Sequence, residues 1–69
     1  MKDNELKTLA ENIKRLRLDH GYTQREFGEA VGLSHAQICR IEKCVNGTAF
    51  KKLAKIAEVL EVEIIDLFM

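Results

Sequence analysis

Apolar residues recur at helical spacing along most of this chain. Leu6, Leu9, Ile13 and Leu16 fall three and four positions apart, the period of one face of an amphipathic helix. The pattern predicts a first helix from about Asn4 to His20, with Gly21 as its stop signal. Thr23 is an N-cap candidate, and Glu26 three residues on completes a capping box. A second helix runs from there to about Val31. Ser34 is the N-cap candidate for a third helix, which reaches about Lys43. Cys44-Val45-Asn46-Gly47-Thr48 has turn chemistry at Asn46-Gly47 and is expected to be a loop. A fourth helix follows from Ala49 to Leu60, with Leu53, Ile56, Ala57 and Leu60 inward. A short fifth turn of helix, about Ile64 to Phe68, closes the chain. The expected fold class is all-α: a compact bundle of five short helices forming a single domain over residues 1–69.

The joint between the second and third helices carries the most information. Gly28 has no side chain, so another helix can approach closely there, and Gly32 can take the positive φ of a sharp turn. Phe27, Val31, Leu33, Ile38 and Ile41 then form one inward cluster. His35, Ala36, Gln37 and Arg40 are left mostly on the outer side of the third helix. This is a helix-turn-helix arrangement, whose second helix enters the DNA major groove.

Composition narrows the function classes. At 69 residues and 46% apolar with no proline, nearly every apolar residue is needed for a small core. A sizeable catalytic pocket is not expected, and no nucleophile–base pair, phosphate-binding glycine loop or metal cage is evident. No catalytic residue and no cofactor is therefore assigned, and an enzyme is not expected. No run is long enough to span a bilayer and no signal-peptide pattern opens the chain, so no membrane partner and a cytoplasmic location are expected. Two cysteines suit free thiols in a reducing compartment. Eleven basic and eleven acidic side chains give a net charge of zero, whereas nucleic-acid binders are often strongly basic. Distribution matters more than the sum. Lys14, Arg15, Arg17, Arg25, Arg40 and Lys43 outnumber Asp19, Glu26, Glu29 and Glu42 in the central segment, while Glu58, Glu61, Glu63 and Asp66 make the end acidic. A basic DNA face, an acidic opposite end and weak non-specific binding follow as expectations.

The blocks Ile13-Lys14-Arg15-Leu16-Arg17, Gly21-Tyr22-Thr23-Gln24, Val31-Gly32-Leu33-Ser34, Ile38-Cys39-Arg40-Ile41-Glu42 and Leu53-Ala54-Lys55-Ile56-Ala57 occur in order, and Val62-Glu63-Ile64-Ile65-Asp66-Leu67-Phe68 ends the series. Together they make roughly residues 9 to 68 closely resemble the Cro/CI-type, or XRE, helix-turn-helix family of phage repressors and bacterial regulators. The resemblance implies a homodimer on a two-fold symmetric double-stranded DNA operator. It implies base-reading positions at Ser34, His35, Ala36 and Arg40, with Gln37 nearer the edge of that face. Gln24 lies at the family's phosphate contact, flanked by Thr23 and Arg25, and free N–H groups at a helix start attract phosphate. Lys43 and the loop containing Asn46 and Gly47 match further phosphate contacts. Arg17 and Glu42 match a structural ion pair.

Each assignment has a plainer rival. Arg40 is either a base or phosphate contact, Arg to guanine being the commonest specific pairing, or a solvated charge. His35 is either a DNA contact or an exposed residue beside the cap. Lys51, Lys52 and Lys55 read as solvated surface. Four departures from the family pattern stand out: Cys44 and Glu61 replace usual glycines, Thr48 replaces a frequent proline, and Ile65 replaces a polar residue. One terminal helix cannot bury Ile64, Ile65, Leu67, Phe68 and Met69 together. A dimer interface through Ile64, Ile65, Phe68 and Met69 is therefore expected, against the rival of a frayed terminus.

His35 and Cys39 stand four apart, a spacing able to hold a metal, and Cys44 lies one turn beyond. The competing view is that Cys39 is a small packing residue; no metal site is assigned. The leading function is a sequence-specific DNA-binding transcriptional regulator, a repressor, with a restriction-modification controller protein as one small member of that kind. The alternatives are an antitoxin or other protein-interaction module with an unknown protein partner, and a thiol- or metal-responsive regulator.

Overall fold

Helix-capping chemistry and two glycines divide the chain into its elements. The computed structural model describes residues 3–43 and 48–69. Four α-helices appear: α1 (Asp3–Asp19), α2 (Gln24–Val31), α3 (His35–Lys43) and α4 (Phe50–Val59). The expected fifth helix is a 3-10 helix, Ile64–Phe68. Its tighter winding suits a segment of only five residues, since 3-10 turns are used in short pieces. The described residues contain no strand, and none of their helices is long and apolar enough to cross a membrane.

Thr23 starts α2 by reciprocal capping. Its Oγ1 accepts from the Glu26 N–H at 3.0 Å, and the Glu26 carboxylate accepts from the Thr23 N–H at 2.9 Å. Ser34 starts α3 in the same way, with Gln37 as its partner: Ser34 Oγ accepts from the Gln37 N–H at 3.1 Å and Gln37 Oε1 from the Ser34 N–H at 2.9 Å. Each box satisfies two backbone donors that a helix start leaves open.

Between the boxes, Gly32 adopts φ 79° and ends α2 in the left-handed conformation. Gly28 makes the close approach. A Cβ built on it would stand 2.6 Å from the Leu33 carbonyl oxygen, so the bare glycine is what lets the chain turn back this tightly. The Leu33 N–H then donates to Gly28 O at 2.8 Å and closes the joint.

The core gathers Leu9, Ala10, Ile13, Phe27, Val31, Ile38, Ile41, Leu53, Ile56, Ala57, Leu60 and Leu67. Its members come from all five elements, so no helix buries its apolar face alone. The central packing is α2 on α3, with α1 on α3, α2 on α4, and the 3-10 helix held between α1 and α4. Leu67 is fully buried, and the carbonyl of the same residue accepts from Asn12 Nδ2 at 2.7 Å. One apolar and one polar contact thus fasten the last turn to α1. At the joint before it, Glu61 sits at φ 61°, the left-handed region in which the usual glycine is unstrained.

Candidate nucleic-acid interface

The helix period sorts α3 into two sides. Ile38 and Ile41 are buried in the core, while His35, Ala36 and Arg40 are exposed. Ser34 is exposed at the cap, and Lys43 is exposed at the other end. Gln37 is half-buried, and its amide oxygen closes the capping box. Its position at the edge of the face therefore has a local cause: the side chain turns back to the helix start.

Behind the exposed face lies a polar chain that joins three helices. Arg17 donates from Nε to Glu42 Oε2 at 2.6 Å and from Nη2 to Glu42 Oε1 at 3.2 Å. It donates from Nη1 to the Tyr22 carbonyl at 2.7 Å. The two side chains are only 7% and 4% exposed. Two parallel bonds match a planar guanidinium to a carboxylate, and the carbonyl takes up a third donor direction. Tyr22 in turn packs against Phe27, with ring centroids 5.7 Å apart. The pair therefore ties the end of α1, the α1–α2 turn and the end of α3 together.

Gln24 extends this chain outward. Its Nε2 donates to Glu42 Oε1 at 3.1 Å. Its Oε1 accepts from the Cys39 thiol at 3.1 Å and from His35 Nε2, also at 3.1 Å. The side chain assigned to phosphate is thus engaged within the protein. The backbone at the start of α2 is a different matter. The amides of Gln24 and Arg25 have no carbonyl one turn before them, whereas the Glu26 amide is taken by Thr23. Thr23 and Arg25 are exposed beside them. Two oriented donors at a positive helix end, with an arginine adjacent, form an anion-attracting corner.

The structure brings Thr23, Gln24, Arg25, Ser34, His35, Gln37 and Glu42 into neighbourhood through the α2–α3 joint. Asn46 and Gly47, expected to meet phosphate, lie outside the described residues, as do Cys44 and Val45. Lys51, Lys52 and Lys55 are exposed, and Lys55 pairs with Glu58 at 3.0 Å. At the far end, Ile64 is half-buried, while Ile65, Phe68 and Met69 are 67%, 43% and 83% exposed. Sequence reasoning missed the hydrogen bonds from Gln24 to Glu42 and from Cys39 to Gln24, because the partners lie 18 and 15 residues apart with no local spacing to join them. It also missed Phe50, 70% exposed at the start of α4. An apolar residue in a helical pattern gives no signal of its own that it faces water.

Comparison with known proteins agrees with this geometry. The crystal structure of the clp gene regulator ClgR from Corynebacterium glutamicum is similar at a TM-score of 0.81 and 24% identity, over 88% of this chain. The chain spans 65% of the length of that ClgR chain, and the likeness is one of fold. A single-residue mutant of the restriction-modification controller protein C.Esp1396I is 30% identical at a TM-score of 0.84, over 93% of this chain and 83% of its own. The master regulator for biofilm formation SinR, in complex with DNA, is 26% identical at a TM-score of 0.81, over 88% and 98%. A comparison with curated protein sequences gives no match. A family model described as helix-turn-helix covers residues 13–67, a span that begins on α1, includes the capped α2–α3 joint and ends on buried Leu67. The chain accordingly belongs to the helix-turn-helix family of Cro/CI, or XRE, type, whose members are DNA-binding transcriptional regulators.

Proposed function

We propose that this protein is a sequence-specific repressor whose single domain binds a two-fold symmetric operator as a homodimer. In each subunit α3 lies in the major groove, and the two helices read half-sites about 34 Å apart. Occupying promoter DNA then represses transcription. The single observation that carries this proposal is the division of α3: His35, Ala36 and Arg40 face solvent while Ile38 and Ile41 of the same helix are buried. A helix anchored on one side and polar on the other can enter a groove without costing the core any contacts.

The remaining residues have matching roles. Arg40, one turn beyond Ala36, reads a base; Ser34, His35 and Ala36 lie at the start of the helix, where side chains reach base edges. Gln37 acts on DNA chiefly by holding that start in shape. Thr23, Arg25 and the amides at the start of α2 hold a phosphate, with Lys43, Asn46 and Gly47 holding others. Gln24 contributes its backbone, since its side chain is bonded to Glu42, Cys39 and His35. Two related proteins support the assignment: SinR has been captured in complex with DNA, and C.Esp1396I is a controller protein. The dimer uses Ile65, Phe68 and Met69, with Ile64 at its edge, because these side chains are left in water by a chain end that buries only Leu67 fully.

Selection of bound sites from random DNA tests the proposal. The expected product is an inverted repeat with half-sites one helical turn apart, bound more weakly as salt rises. Arg40→Ala should cost about 1–3 kcal/mol and relax preference at one base pair. A uniform loss across sites would move Arg40 to phosphate. Recovery of no preferred sequence would overturn sequence-specific reading.

A further inference from the structure

Three donor atoms converge where α3 faces the start of α2. Cys39 Sγ lies 3.6 Å from His35 Nε2, and Gln24 Oε1 lies 3.1 Å from each of them. The two α3 residues are one helical turn apart, so their separation is fixed by the backbone; Gln24 enters from the other helix and is oriented by its bond to Glu42. A zinc-class ion bonds sulfur at about 2.3 Å and imidazole nitrogen at about 2.0 Å, so a tetrahedral centre places these two donors about 3.6 Å apart. The observed Cys39–His35 distance is already that edge. The oxygen edges of such a centre are about 3.4–3.6 Å, which Gln24 reaches by backing away a few tenths of an ångström. Among the described residues no group of three or more His, Cys, Asp or Glu side chains could hold a metal. The set here consists of two strong donors and one amide oxygen, which leaves the fourth position of a tetrahedral centre to be filled from solvent.

We propose that Cys39 Sγ and His35 Nε2, completed by Gln24 Oε1, form a binding site for a borderline-soft divalent metal ion of the zinc class. Sulfur and imidazole favour such an ion over magnesium or calcium, which take oxygen. On binding, the thiol gives its proton to solvent and bonds as thiolate. The imidazole stays neutral, its proton moving from Nε2 to Nδ1 through water so that the Nε2 lone pair reaches the metal. One proton is released per ion, and nothing is oxidised. The ion clamps the His35 ring against Cys39 and the start of α2, where Nε2 already points. The imidazole can then no longer swing out to a base, so metal and operator compete for His35. This competition rests on the DNA-reading role proposed above; the site itself does not.

Cobalt(II) added to the reduced, DNA-free protein is the probe. The expected result is a thiolate-to-cobalt charge-transfer band that saturates at one ion per chain. Cys39→Ser should abolish it, and His35→Ala, at an exposed position that the fold tolerates, should weaken binding by at least about tenfold. Cys44→Ser should leave the band intact. No band, a band that survives Cys39→Ser, or one lost in Cys44→Ser would overturn the site. Zinc should then weaken operator binding by the wild-type protein and not by Cys39→Ser; equal effects on both would overturn the competition. If no operator is found at all, the DNA-reading role fails while the cobalt spectrum still decides the site.

Discussion

Burying a guanidinium and a carboxylate strips water from both, and their mutual attraction repays that cost only when further hydrogen bonds complete the shell. Arg17 and Glu42 meet that condition through the Tyr22 carbonyl and Gln24 Nε2. The pair is therefore best understood as a lock on geometry, not as a large net gain in stability. Removing one partner is a different experiment, since it leaves a buried charge unpaired. Glu42→Ala should destabilise the domain by about 3–5 kcal/mol in urea unfolding, and it should also free Gln24. A loss below about 1 kcal/mol would mean that water reaches Arg17. Glu61 stands at the opposite extreme of exposure. Its left-handed φ of 61° costs a side-chain-bearing residue about 1–2 kcal/mol, and glycine returns part of that as unfolded-chain entropy. Its carboxylate also lies 3.8 Å from His20 Nδ1, an exposed contact of little weight. Glu61→Gly should therefore raise stability by about 0.5–1 kcal/mol, read as a higher urea midpoint at unchanged slope. No change would show that the turn relaxes around glutamate.

The second and third helices are set by short-range signals of unequal visibility. Thr23 and Glu26, three apart, read as a capping box from spacing alone. Gln37, three residues after Ser34, reads only as a residue of the outer face, and its box emerges in the structure. What spacing does not give is how tightly the helices meet. Gly28 answers that: the nearest obstacle to an added methyl is the Leu33 backbone, which cannot rotate away as a side chain would. Gly28→Ala should cost about 2 kcal/mol of stability, as overpacking against a fixed atom does. It should also weaken operator binding by more than the unfolded fraction explains, since α3 must shift relative to α2. A fully folded variant with unchanged operator affinity would show that the joint has slack. The 3-10 ending teaches the reverse lesson. Ile64 to Phe68 reads as one turn of helix, yet its seat in the fold comes from the packing of Leu67 and the Asn12 bond, 55 residues away in sequence.

At the scale of the molecule, apolar surface is distributed unevenly. The core closes around Leu67, and Ile65, Phe68 and Met69 remain in water at the same end. In the dimer proposed above, a second copy related by a two-fold axis would bury that surface twice over with one set of residues. If that proposal holds, Ile65→Glu should convert a dimer to a monomer in sedimentation velocity while the circular dichroism stays helical. Operator affinity should fall with it, because each half-site is then bound alone. A variant that sediments as wild type would remove Ile65 from the interface.

The helices, the capped start of α2, the sharp turn at Gly32 and the division of α3 into a buried and an exposed side follow from local sequence. Helical period, cap pairs and the glycine conformations act within a few residues, so the amino-acid order determines them directly. Arg17 and Glu42, 25 residues apart, could be paired in advance only through the family's pattern. The destination of Gln24 was not legible even so. Its position at a helix start pointed to phosphate, and only the packing of α2 on α3 brought Glu42, Cys39 and His35 within reach of its amide. That same packing turned two α3 residues at metal-binding spacing into three converging donors. Long-range polar contacts of this kind depend on the relative placement of elements to within an ångström, which no pattern along the chain encodes.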